Sequence, residues 1–152
     1  MKRAKPRAAV VLLQDGQIAL LERNRRGTRY LVFPGGGIES GETAPEAAVR
    51  EGEEELGVTL RVDRLIAEVW FQGMPQYFFL VEATGGTFGS GYGKEMSSAA
   101  NSSQGSYLPC WIPISELTSQ PVLPTIIARY ISEAYLKGWP EQPLCLRDLP
   151  KD

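Results

Sequence analysis

"GGGIESGETAPEAAVREGEEELGV", residues 35–58, decides how the whole chain is read. Seven of the eighteen acidic residues fall between Glu39 and Glu55, and Arg50 is the only base among them. Local signals predict a helix through this piece. Thr43 followed three residues later by Glu46 is a capping box, in which each side chain satisfies the other's backbone amide. Pro45 is tolerated in a first turn whose amides have no helical partners, and Gly57 suits the residue just past a helix end. On that helix Glu51, Glu54 and Glu55 are spaced i, i+3 and i+4, so they share a face. Arg50 stands four residues from both Glu46 and Glu54 and can brace either. Stacked carboxylates repel by a few tenths of a kcal/mol per exposed pair, and a divalent cation would turn that repulsion into attraction. A solvated acidic face is the bland alternative. Against it stand the glycine-rich turn ahead of the helix, which can approach a ligand closely, and Glu42 at the helix entrance.

Working outward, "RAAVVLLQ" (7–14) and "QIALLER" (17–23) flank Asp15-Gly16, a strong hairpin signal. "NRRGTR" (24–29) reads as a basic loop, and "YLVF" (30–33) as a short strand ended by "PGGG". After the helix, residues 58–72 and 76–84 read as a second strand pair around "GMP". Residues 85–106 are rich in Gly and Ser and read as a long loop, a kind that is usually functional or disordered. Residues 107–114 form another strand, "SELTSQ" a short helix capped by Ser115, and 123–138 a helix with apolar residues at helical spacing. The tail beyond is expected to be extended. Strands and helices interleave, so helices should flank a mixed sheet.

The totals exclude several classes. A chain of 152 residues with a net charge of −2 fits one compact domain without a general nucleic-acid surface. The longest apolar runs cannot span a bilayer, no signal peptide is evident, and cytoplasm is the default expectation. Two cysteines do not suggest a disulfide framework; Cys110 reads as a buried thiol. Histidine is absent, which removes imidazole catalysis and His-ligated zinc. Any metal must take oxygen ligands, which favours Mg²⁺, Mn²⁺ or Ca²⁺.

From Gly36 the chain reads G-x5-E-x7-R-E-x2-E-E-x-G-V, with fixed positions at Gly36, Glu42, Arg50, Glu51, Glu54, Glu55, Gly57 and Val58. This resembles the signature box of the Nudix hydrolases. The resemblance implies an α+β fold, an α/β/α sandwich with a central mixed sheet, formed as one domain over residues 1–152. It also implies hydrolysis of a nucleoside diphosphate linked to another group, with Mg²⁺ or Mn²⁺. Glu51, Glu54 and Glu55 would be metal ligands, joined by the Gly36 carbonyl. Glu42 would orient the site or bind a metal through water, and Arg50 would hold the carboxylates. The general base would be Glu51 or Glu95, with Glu82 a third candidate. Arg23 and Arg29, with Arg25 and Arg26 beside them, would guide phosphate, and Gly36 and Gly37 would approach the substrate. Tyr30, Phe33, Trp70, Phe71, Tyr77 and Tyr92 are candidates for base stacking, though most should be core; Trp111 reads as core. Pro75 and Tyr77 lie near weak subfamily markers and do not choose between them. The box departs from the family at Gly52, where a larger apolar residue is usual; close packing against the sheet would explain it. The expected partner is a nucleotide-derived small molecule, with no membrane, and the aromatic strands allow a homodimer. The rival is a Nudix-fold sensor that binds a nucleotide without cutting it.

Overall fold

The strand from which the fold is built is β1 (Arg7–Gln14), joined to β2 (Gln17–Arg25) by the expected hairpin. Leu13 pairs with Ile18 and Gln14 with Gln17. Asp15 and Gly16 both take positive φ, at 53° and 76°, the turn geometry that matches the twist of the strands it joins. In the computed structural model, which describes residues 5–91 and 106–149, β1 is buried on both sides. Ala8, Val10 and Leu12 enter one hydrophobic layer, and Ala9 and Val11 the other. A strand covered on both faces needs an unbroken apolar run, and "AAVVL" supplies it.

The other described strands are β3 (Thr28–Val32), β4 (Gly35–Gly37), β5 (Val58–Phe71), β6 (Met74–Gly86), β7 (Ser106–Pro113), β8 (Val122–Leu123) and β9 (Leu144–Leu149). They form one mixed sheet in the order β8-β3-β2-β1-β6-β5-β9, with β4 also against β1 and β7 against β2. The pairs β1–β6, β3–β8 and β5–β9 are parallel; the remaining pairs are antiparallel. Helix α1 (Ala44–Leu56) covers one face through Ala47, Ala48 and Leu56, against Ala8, Val10, Leu12 and Leu60. Helix α2 (Thr125–Lys137) covers the other through Ile127, Ala128 and Ile131. This is the α+β sandwich with a mixed sheet that the sequence predicts.

Helix α1 keeps its predicted ends. The Glu46 amide donates to the Thr43 hydroxyl at 3.2 Å, and the Thr43 amide donates to Glu46 Oε1 at 2.8 Å. Gly57 closes the helix at φ 83° and donates to the Glu53 carbonyl. Gly52 is buried on the sheet side; a Cβ there would lie 2.6 Å from Leu60 Cδ1 and 3.2 Å from both Val10 methyls. The small residue sets how closely the helix lies on the sheet.

Elsewhere the structure corrects the expectations. The basic loop 24–29 is mostly strand, and only Arg26-Gly27 turns, again with positive φ at both residues. The second strand pair turns at Gln72-Gly73 rather than at "GMP". The glycine stretch after Phe33 is a short strand, with Ala8 paired to Gly36 and Ala9 to Gly35; a Cβ on Gly35 would collide with the Ala8 carbonyl. Strand β6 runs on to Gly86. Ser115 caps nothing: residues Ile114–Glu116 form a single 3₁₀ turn with Pro113 at its start and no side-chain cap. The tail supplies β9, held parallel to β5. Cys110 is half-buried rather than buried; burial pushes its thiol pKa up.

Candidate active site on the first helix

Arg50 organises the acidic segment. It lies within α1, and its guanidinium reaches back toward the helix entrance. Nε donates to Glu42 Oε2 at 2.7 Å and Nη2 to Glu42 Oε1 at 3.0 Å, a two-pronged pair whose geometry is the strong form of the interaction. Nη2 also donates to the Gly37 carbonyl at 3.1 Å, and Nη1 to Glu51 Oε1 at 2.9 Å. Glu54 Oε2 stands 3.9 Å from Nη1. One cation therefore ties β4, the helix entrance and two carboxylates of the helix face together. The sequence places Arg50 beside Glu46 or Glu54 on the helix. Its main partner is instead Glu42, and Glu46 serves the cap.

Glu42 is held from two sides. The Glu39 amide donates to its Oε1 at 3.0 Å. The Arg50 hydrogen bonds, followed by that amide, lower its pKa from 4.5 to about 2, because both favour the charged carboxylate. Arg50 in turn is raised above its already high pKa, mainly by Glu42. Glu42 is thus the counter-ion that fixes Arg50.

Glu55 is almost wholly buried, at 2% exposure, and Oε1 accepts from the Gly35 amide at 2.8 Å. That bond fastens β4 to the helix. Glu51 is also buried. A Cβ on Gly36 would collide with the Glu51 carboxylate, so the glycine leaves the space that the carboxylate occupies. Glu51, Glu54 and Glu55 do lie on one stretch of helix, beside β4. Among the described residues, however, no three His, Cys, Asp or Glu side chains converge as an ion's ligand set. Arg50 draws Glu51, and the Gly35 amide draws Glu55. The donors suit a hard divalent cation in kind, being carboxylate oxygens in excess of positive charge. Neighbours three and four apart on a helix have Cβ atoms about 5–6 Å apart.

The other named residues fall in several places. Arg23 lies on the α1 face of the sheet with Ala19 and Leu21. Its guanidinium carbon is 3.7 Å from the centre of the Tyr107 ring and 5.8 Å from that of Tyr30. Arg29 lies on the opposite face: Nε donates to Glu22 at 2.8 Å and Nη1 to Gln120 at 3.1 Å. It braces β2 and β3 rather than joining the carboxylates. Glu82 likewise turns away from α1 and pairs with Arg61 across the β5–β6 ladder. Phe33 is core, edge-on to Phe78. Trp70 donates to Glu68 at 2.7 Å, with Arg147 over its ring. Glu95 and Tyr92 lie outside the described residues. Trp111, expected as core, is half-buried and stacks on Phe88 with ring centres 4.7 Å apart. Tyr107 is a contact the sequence alone does not reveal. The signal for it was the alternation Tyr107, Pro109, Trp111 on one face of a strand, which becomes meaningful only once β7 is paired with β2.

The family model of the NUDIX domain matches residues 3–132. The chain is 31% identical over 88 residues to the 8-oxo-dGTP diphosphatase of Escherichia coli, covering 54% of this chain and 68% of that protein. It is 44% identical over 48 residues to the uncharacterized Nudix hydrolase YvcI of Bacillus subtilis, covering 32% of this chain and 29% of that one. It spans 23% of the length of a matching Caenorhabditis elegans protein. Among solved structures, a NUDIX hydrolase from Nitrosomonas europaea superposes with a TM-score of 0.71 at 17% identity, over 99% of this chain and 82% of that one. An ADP-ribose pyrophosphatase from Streptococcus suis superposes with a TM-score of 0.65 at 16% identity, over 95% and 98%. Identities this low speak for the fold alone.

Proposed function

Since the chain belongs to the Nudix family, we propose that it hydrolyses the pyrophosphate bond of a nucleoside diphosphate derivative with the help of Mg²⁺ or Mn²⁺. The observation that carries this reading is the placement of three carboxylates, Glu42, Glu51 and Glu54, around one guanidinium, with a fourth, Glu55, on the Gly35 amide of β4. Two of the four are buried, and buried carboxylates are costly unless paired or bound to a cation. Glu51, Glu54 and Glu55 would hold the ion, with the Gly36 carbonyl beside them. Bound there, the ion would neutralise phosphate charge and make water nucleophilic.

The chain's own residues do the rest. Arg50, locked by Glu42, keeps Glu51 and Glu54 from swinging into solvent. The Gly35 amide orients Glu55. Glu51 is the candidate base among the described residues, since its carboxylate sits against Gly36, where a side chain would exclude it. Arg23, held by the ring of Tyr107, supplies a fixed positive charge on the same face for a phosphate or a base edge.

The test is a substrate panel of dNTPs including oxidised dGTP, ADP-ribose, NADH, Ap4A and a nucleotide sugar, each with Mg²⁺, Mn²⁺ or EDTA. Metal-dependent release of phosphate or nucleoside monophosphate from one compound is expected. Turnover that persists in EDTA would overturn the metal assignment. Tight nucleotide binding with no turnover in any metal would replace hydrolysis by sensing.

A further inference from the structure

We propose that the strap Thr87–Gly91, which leaves the end of β6, is a positioning element for the carboxylates of α1, and that Gly91 is the residue that makes its grip possible. The inference rests on the hydrolase reading above and adds a part to that site.

A helix ends with carbonyls that have no partner within it. Gly57 takes care of one by donating to Glu53. The strap supplies more: the Gly89 amide donates to the Leu56 carbonyl at 2.8 Å, and the Thr87 amide to the Gly57 carbonyl at 3.1 Å. The Ser90 hydroxyl lies 3.3 Å from the Gly57 carbonyl and donates to that of Thr87 at 2.6 Å. Phe88, stacked on Trp111, pins the strap to β7. So the last turn of α1 is tied through five residues to the far side of the sheet from β5.

The packing shows how tight the tie is. A Cβ on Gly91 would lie 2.5 Å from the Glu54 carbonyl oxygen and 2.6 Å from that of Glu55. A Cβ on Gly57 would meet Thr87 O and Ser90 N, each at 2.7 Å. These are backbone atoms, which cannot swing aside. The two carbonyls under Gly91 belong to Glu54 and Glu55, two of the three residues whose carboxylates would hold the proposed ion, so pressure there moves their Cα atoms. Gly91 has no left-handed φ, and its need for glycine is the contact alone. The strap is mostly exposed and adds little core, which separates a positioning role from a general one in stability.

The experiment compares Gly91→Ala with Gly73→Ala, a change in the β5–β6 turn with nothing near its side chain. Three quantities are measured without substrate: Mn²⁺ affinity by EPR titration, exchange of the Gly89 amide by NMR, and thermal unfolding in EDTA. Gly91→Ala is expected to weaken Mn²⁺ binding roughly tenfold, as loss of an outer-shell support does, and to speed Gly89 exchange. Gly73→Ala is expected to lower the melting temperature and leave Mn²⁺ affinity unchanged. A folded Gly91→Ala protein with wild-type Mn²⁺ affinity overturns the proposal alone. Wild-type protein that binds no Mn²⁺ overturns the hydrolase reading and this inference with it. Should Gly91→Ala not fold, Ser90→Ala replaces it: faster Gly89 exchange with weaker Mn²⁺ binding supports the strap, and no change in either overturns it.

Discussion

The two helices are the same length, 13 residues each, and lie on opposite faces of one sheet, yet they are built for different ends. Helix α2 buries Ile127, Ala128, Ile131 and Ala134, has no side-chain cap, and ends with Leu136 and Tyr135 exposed. Helix α1 buries Ala47, Ala48 and Leu56, but also Glu51, Glu55 and Gly52. It gives up apolar area and accepts buried charge. In return it has a full capping box, a left-handed glycine stop and the strap beyond it. The difference separates apolar burial on one face from paired charge on the other. One face of the sheet supplies apolar burial, at about 1.5–3 kcal/mol per large side chain. The other spends part of its share on holding carboxylates in place.

That contrast can be broken at several points. Glu54→Gln on α1 should cut metal-dependent turnover by at least about a hundredfold, the upper end of what losing even an outer partner costs. Circular dichroism and melting should stay near wild type, since Glu54 serves no cap and packs no core. An active Glu54→Gln enzyme would move the site elsewhere. The mirror experiment is Ile131→Ala on α2, which should cost about 2–5 kcal/mol in urea unfolding while the folded fraction keeps its kcat. A large loss of kcat there would mean the two layers are not separable. Gly52→Ala should cost about 1–3 kcal/mol through overpacking against Leu60 and Val10. That exceeds the roughly 1 kcal/mol that alanine gains in a helix; a more stable variant would show that the helix can lift off the sheet freely.

The smallest effect concerns acid. Glu42 titrates at about 2 in the folded chain against 4.5 ordinarily. A lowered pKa adds stability that is complete above the unfolded value and is lost as pH falls through the folded one. Wild type should therefore lose stability between about pH 5 and pH 2 faster than Glu42→Gln, read from melting temperature against pH. Parallel curves would show that the Glu42–Arg50 pair contributes nothing net.

Much of α1 was legible because its determinants are local. Thr43, Glu46 and Gly57 announce its ends within one turn of themselves, and the spacing of Glu51, Glu54 and Glu55 settles their shared face. What was not legible depends on distant partners. Three glycines read as a turn until β1 is seen alongside them, and residues 144–149 read as a tail until β5 offers an edge. Arg50 was expected beside residues four away on the helix; the loop preceding the helix brings Glu42 closer. The charge of Arg29 is visible in the sequence, whereas Glu22 and Gln120 become its partners only through folding. Glu51, Glu54 and Glu55 could be assigned to one helix face from sequence. Their pull toward Arg50 and the Gly35 amide could not, because it depends on how β4 docks.

The parallel pairing of β1 with β6 joins Arg7 to Gln76 and Leu12 to Val81. Between those strands in the chain lie Glu42, Glu51, Glu54 and Glu55, the carboxylates proposed for the site. A nascent chain that has emerged as far as Val58 already carries Glu42, Arg50, Glu51, Glu54 and Glu55, but not the strand that completes the floor beneath them. Contacts between such distant segments form slowly, because loop closure comes before any reward. On the proposed reading, the carboxylates of α1 lack part of the sheet beneath them until β6 has been made.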